Sequence, residues 1–138
     1  MSLLRLQREK IDIKELHDAV SYPTAGAVLL FLGETRNRFE DRRVISLEYE
    51  AYEEMAISEL NRIVAEMTSR WSDVRCAIIH RLGEVPVGEI SVVVAVSAGH
   101  RENAYLASRF GIDSLKKRAP IWKKEIFDDG EQWKANSL

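Results

Sequence analysis

Five cations crowd into the nine residues from Lys116 to Lys124, within the stretch KKRAPIWKKE that closes on Glu125. Ala119-Pro120-Ile121-Trp122, apolar and stiffened by the proline, divides them into two clusters. Lysines held close together repel one another, which lowers the pKa of at least one, and burial beside Trp122 is expected to push the same way. A lysine so shifted serves as general acid or base, or attacks a carbonyl. A helix C-terminus with dipole-compensating lysines gives the same pattern without chemistry. Spacing alone leaves both readings open.

A second constellation is Gly99-His100-Arg101, where an apolar run gives way to a helical pattern. Backbone N–H groups and the helix dipole favour an anion at such a junction, and an imidazole and a guanidinium add to it. The bland alternative is a histidine that helps to cap a helix and an arginine in solvent. His17 and His80 have no partner at metal-ligand spacing. There is no Walker loop, no G-x-G-x-x-G and no serine elbow. Cys76, the lone cysteine, lies in the apolar run CAII and reads as a buried structural thiol, which excludes an internal disulfide and fits a reducing cytoplasm.

The formal net charge is −2, but it is unevenly distributed. Residues 100–125 carry seven Lys/Arg against three acids, so this segment is +4 and the remainder −6. A nucleic-acid binder usually spreads positive charge over a face, so an acidic body with one basic segment fits a small anion or a partner's carboxylate end better. No apolar run approaches the roughly 20 residues of a membrane span. Charges interrupt the N-terminus throughout, unlike a signal peptide. The 138 residues read as one domain, 1–138, with no weight placed on residues 1–3.

The elements that must position these residues follow from periodicity. Residues 11–20 read as a short amphipathic helix stopped near Tyr22-Pro23, and 26–33 (GAVLLFLG) as a buried strand. Residues 34–43 form an arginine-rich loop, and 44–52 a strand with Ile45, Leu47 and Tyr49 inward. A helix spans about 53–70 with Ala56, Leu60, Ile63, Val64, Met67 and Trp71 on one stripe, and Glu66 paired to Arg70. Strands at 75–82 and 90–98 flank a turn at 83–88. A second long helix runs from Gly99-His100 to about Lys117 and ends before Pro120. Residues 122–127 and 131–135 flank Asp128-Asp129-Gly130 as a hairpin. The order is α+β rather than a doubly wound parallel sheet.

GAVLLFLGETRN, IHRLGEVPVGE, SAGHRENAY and LKKRAPIWKKE occur in an order and spacing that resemble the large, catalytic subunit of molybdopterin synthase, from about residue 4 to Trp133. The resemblance implies an α/β hammerhead with an additional antiparallel sheet. It implies a cytoplasmic sulfurtransferase of molybdenum cofactor biosynthesis that converts cyclic pyranopterin monophosphate into molybdopterin. Sulfur comes from a thiocarboxylate on the C-terminal Gly-Gly of a ubiquitin-like small subunit, whose tail inserts into the large subunit. The large subunit is a homodimer within a heterotetramer, and no cofactor, nucleic acid or membrane is implied. No metal is needed, because molybdenum enters after the dithiolene exists.

Residue by residue, the resemblance assigns catalysis to Lys116 and Lys123, and substrate binding to Thr35, Arg36, His100, Arg101, Lys116, Lys123, Lys124 and Glu125. Arg36, His100 and Arg101 would hold the pterin and its phosphate, and the two lysines would face the thiocarboxylate. Pro120 and Trp122 would fix the turn between them. Some members carry a longer basic C-terminal tail, whereas the last cation here is Lys134, and Glu34 replaces a small polar residue. Two other classes compete. A small RNA-binding module using Trp122 and Tyr105 would bind arbitrary oligonucleotides with steep salt dependence. An adaptor would bind the ubiquitin-like tail and leave the precursor unchanged.

Overall fold

The computed structural model describes residues 3–135; residues 1–2 and 136–138 lie outside it. Four strands form one sheet in the order β1 (Leu3–Gln7), β5 (Arg75–Arg81), β7 (Ile90–Ala98), β2 (Ala27–Glu34). β1 runs parallel to β5 and the other pairs are antiparallel. The sequence reading assigns no strand to Leu3–Gln7. The segment is short, broken by Arg5, and held by a partner more than seventy residues away.

Alternation along β5 sends Ala77 and Ile79 to one face and Cys76 and Ile78 to the other. The first face packs on α1 (Ile13–Val20) through Leu16 and Val20, and Asp12 caps that helix by accepting from the Lys14 amide at 3.1 Å. The second packs on α2 (Glu53–Arg70) and α3 (Arg101–Arg118), where Leu60, Ile63, Val64 and Met67 of the expected stripe are buried. Trp71 is half-buried at its edge, and Ala56 is buried in the cluster under the second sheet instead. The expected Glu66–Arg70 pair is replaced. Arg118 of α3 reaches Glu66 at 2.6 Å and Glu59 at 2.7 Å, and Arg70 lies over the Phe110 ring. A guanidinium gripping two carboxylates outweighs a flexible exposed pair.

The second sheet holds β3 (Arg38–Phe39), β4 (Arg42–Ala51), β8 (Ile121–Phe127) and β9 (Gly130–Ala135), with β6 (Gly83–Pro86) also on β4. All its pairings are antiparallel. The class is α+β with a further antiparallel sheet, as the resemblance implies. Three local expectations change. Residues 34–43 are not all loop, because Arg38–Phe39 folds back as a short strand on Arg42–Arg43. Gly83–Pro86 is a strand rather than part of the turn, because it pairs with Ser46–Tyr49. Ile45 is half exposed rather than inward, because the register shifts between Val44 and Ser46 and turns its side chain out. Among the described residues, no helix is long and apolar enough to cross a membrane.

Candidate functional site

On β8 the pleat buries Ile121, Lys123, Glu125 and Phe127 and leaves Trp122, Lys124 and Ile126 on the other face. Lys123 is only 7% exposed and Glu125 4%. Lys123 lies opposite Tyr49 on β4 and Lys134 on β9. Lys134 pairs with Glu125 at 2.6 Å, and its ammonium sits 3.3 Å above the centre of the Phe39 ring. Lys123, Glu125, Tyr49, Arg36 and Phe39 line a narrow cavity of ≈ 20 Å³. Small-molecule pockets are about 300–1,000 Å³, so the cavity of one chain alone does not enclose a pterin.

Alternation also places Lys124 and Trp122 away from this cavity. Lys124 lies between Glu48 and Glu131, at 3.7 Å from each, and over the Trp133 ring. Trp122 packs edge-on against Tyr52. The burial of Lys123 therefore comes from the inner face of the sheet and not from Trp122, the neighbour expected from the sequence.

Lys116 reaches the same region from the last turns of α3, which stops at Ala119 immediately before Pro120 and β8. Burial, and then the charge of Lys123, lower its pKa to about 8. The Lys123 ammonium is also pushed below the ordinary lysine range, first by burial. Lys134 and Arg36 act in the same direction and Glu125 against them. Helix end and strand thus bring two lysines into mutual repulsion across the Ala119-Pro120 turn. Arg36, exposed at the end of β2, completes the positive rim. Thr35 before it is 2% exposed and donates its hydroxyl to the Val85 carbonyl at 3.2 Å. Its backbone is bonded to Glu89 and Gly88, so Thr35 fixes the Arg36 loop.

His100 and Arg101 are not brought to the lysines. They open α3, and the 15 residues from Arg101 to Lys116 span about 22 Å of helix. Both are exposed. The α3 N-terminus already holds an internal anion. Asp73 accepts from the Gly99 amide at 2.8 Å and from the Asn103 side chain at 3.2 Å. The Gly99 amide first, and Asn103 second, hold its carboxyl below the usual range. His100 makes no capping bond with its side chain.

Three residues of the site escape the sequence reading. Lys134 was findable: a hairpin closing Phe127 onto Gly130 places residue 134 opposite 123. Tyr49 is 1% exposed, and its hydroxyl bonds Ser91, which donates onward to the Gly33 carbonyl at 3.2 Å. His80 is fully buried and meets the Tyr49 ring edge-on at 4.8 Å between centroids. Cys76 is buried as expected, its thiol pushed up to about 12 by burial. Among the described residues, no group of three or more His, Cys, Asp or Glu side chains is placed to hold a metal ion.

An α+β scaffold that gathers a buried lysine, a half-buried one and an arginine into one region has the cationic character that suits anionic ligands. The chain belongs to the MoaE protein family, which matches residues 6–118. An Aedes aegypti protein named molybdopterin synthase catalytic subunit 1 is 47% identical over 140 residues, covering 99% of this chain and 90% of that protein. The crystal structure of molybdopterin synthase from Staphylococcus aureus superposes with a TM-score of 0.91 at 36% identity, covering 94% of each chain. A Helicobacter pylori structure, described as a complex of subunits 1 and 2 of molybdopterin-converting factor, shares the fold with a TM-score of 0.76. Its identity is 23%, over 94% of this chain and 88% of that one.

Proposed function

We propose that this chain is the catalytic subunit of a molybdopterin synthase. In this reading it is a sulfurtransferase that moves sulfur from the thiocarboxylated tail of a ubiquitin-like small subunit to cyclic pyranopterin monophosphate. One observation carries the reading: Lys116 and Lys123 converge from different elements, both with lowered pKa. The donor ends in a thiocarboxylate and the acceptor carries a cyclic phosphate, so both ligands are anionic at the reacting ends. Lysines poised between protonation states neutralise the incoming sulfur and pass protons as sulfur adds and the phosphate ring opens. The narrow cavity suits a glycine tail, which has no side chain to accommodate.

His100 and Arg101 lie too far along α3 to share one small ligand with Lys116 of their own chain. In this reading they take the phosphate in a site completed by a second copy. The groove between β2 and α3, lined by Leu29, Phe31, Tyr105, Leu106 and Ile112, leaves apolar surface for such a copy. The isolated chain is therefore expected to be a homodimer, and light scattering that finds a clean monomer at micromolar concentration contradicts this. Arg101→Ala is expected to weaken precursor binding by about 30-fold, the loss of a charged hydrogen-bonded contact worth roughly 2 kcal/mol. Small-subunit affinity should change far less, and equal loss of both affinities assigns Arg101 to architecture instead. The reading itself is tested by titration with a small subunit lacking its terminal Gly-Gly. Weaker binding and no transfer support it, and unchanged affinity shows that globular surfaces dominate recognition.

A further inference from the structure

The lysine pair has a floor that the sulfur-transfer reading leaves unused. His80, the penultimate residue of β5, lies on the face that α3 covers, in line with Cys76 and Ile78, and is fully buried. Its Nδ1 lies 2.8 Å from the Arg81 carbonyl. A carbonyl only accepts, so Nδ1 carries the hydrogen and Nε2 keeps a lone pair. The edge of the Tyr49 ring packs on the imidazole at 70° and fixes its plane. Tyr49 is itself tied to Ser91 and stands opposite Lys123 in the β4–β8 register.

We infer that His80 is a positioning residue for Lys116, its neutral imidazole offering the Nε2 lone pair to the Lys116 ammonium from beneath the cavity. Electrostatics agrees with this placement. Burial, with the Lys116 charge adding to it, pushes the His80 pKa down to about 3, so the imidazole stays neutral wherever the enzyme works. The groups around the pair are Lys123 and Glu125 from β8, Lys134 from β9, Tyr49 from β4 and Arg36 from the loop after β2. A protonated imidazole would add another cation to this cluster, whereas a neutral one accepts without adding charge. An ammonium has three donors. Holding one against His80 leaves the others for an anion that arrives beside Lys123, as the proposed thiocarboxylate does. What Lys116 then does rests on the sulfur-transfer reading, but the contact does not.

Histidine and lysine NMR on the dimer tests the contact without reference to catalysis. Long-range proton–nitrogen spectra should show Nδ1 protonated and Nε2 bare from pH 5 to 10. The Nε2 resonance should move as Lys116 titrates near pH 8, and that movement should vanish in Lys116→Met. A His80 that titrates near its ordinary value of about 6.5, or an Nε2 signal indifferent to Lys116, overturns the inference. Variants separate position from packing. His80→Leu, without an acceptor, should lower the Lys116 midpoint by about one pH unit, the worth of one hydrogen bond to a charge. His80→Gln, which keeps an acceptor oxygen, should hold it nearly in place. Equal displacement in both variants contradicts positioning, and the wild-type spectra decide alone if the leucine variant does not fold. Transfer should fall about 10–100-fold in His80→Leu, with KM for the small subunit unchanged and most activity kept in His80→Gln. A displaced Lys116 midpoint with full transfer would remove Lys116 from the chemistry and leave the contact standing.

Discussion

Lys123→Ala is expected to lower sulfur transfer by about 10²–10⁴-fold, the usual contribution of a general acid–base group, while the chain stays folded and still binds its small subunit. The side chain is buried on the inner face of β8, and its neighbours there are cations and one carboxylate already paired to Lys134. Removing it deletes a desolvated ammonium whose carboxylate neighbour, Glu125, keeps its pairing to Lys134. It also relieves Lys116 of its nearest repulsion, so the Lys116 midpoint should rise from about 8 toward the ordinary lysine value. Single-turnover transfer with preloaded small subunit measures the first effect and lysine NMR the second. Near wild-type turnover removes Lys123 from the mechanism.

Lys116→Met is expected to abolish most transfer and yet to stabilise the fold. Burial lowers the Lys116 pKa from 10.5 to about 8. Below pH 8 the side chain is protonated in both folded and unfolded chains, and the folded state bears the full cost of the buried charge. That cost is on the order of 3 kcal/mol at 1.36 kcal/mol per pKa unit. Between about 8 and 10.5 the unfolded chain binds more protons than the folded one, so wild-type stability rises with pH there. The methionine variant removes the charge and keeps most of the volume. Its advantage should therefore be largest at pH 7 and shrink toward pH 10 in parallel urea melts. A variant less stable than wild type at pH 7 means that the contacts of the ammonium outweigh its desolvation, and weakens the account of a poised lysine.

Much of this site was legible in one dimension. Pro120 fixed where α3 must stop, and the Asp128-Asp129-Gly130 turn fixed the β8–β9 hairpin, so Lys116 and Lys123 had to lie on either side of a tight connection. What alternation does to adjacent residues was also readable, though the sequence reading grouped Lys124 and Trp122 with Lys123. A strand cannot present neighbours to one face. The placement of His100 and Arg101 shows the opposite problem. A helix converts fifteen residues into about 22 Å, which keeps them from the lysines of the same chain. Asp73 and His80 were out of reach of local pattern. Each acts through a partner distant in sequence: Gly99 lies 26 residues from Asp73, and Tyr49 meets His80 across two sheets. The strand at Leu3–Gln7 was hidden for the same reason, since only its parallel partner β5 gives it a periodic environment.

The most direct test of the central claim is a reconstitution. The purified chain is mixed with thiocarboxylated small subunit and cyclic pyranopterin monophosphate, and the dithiolene product is assayed. The account predicts product only when both ligands are present, wild-type yields from Lys124→Ala because that residue faces away from the cavity, and almost none from Lys123→Ala. A tight complex with the small subunit that leaves the precursor unchanged would contradict it and make the chain an adaptor for the tail.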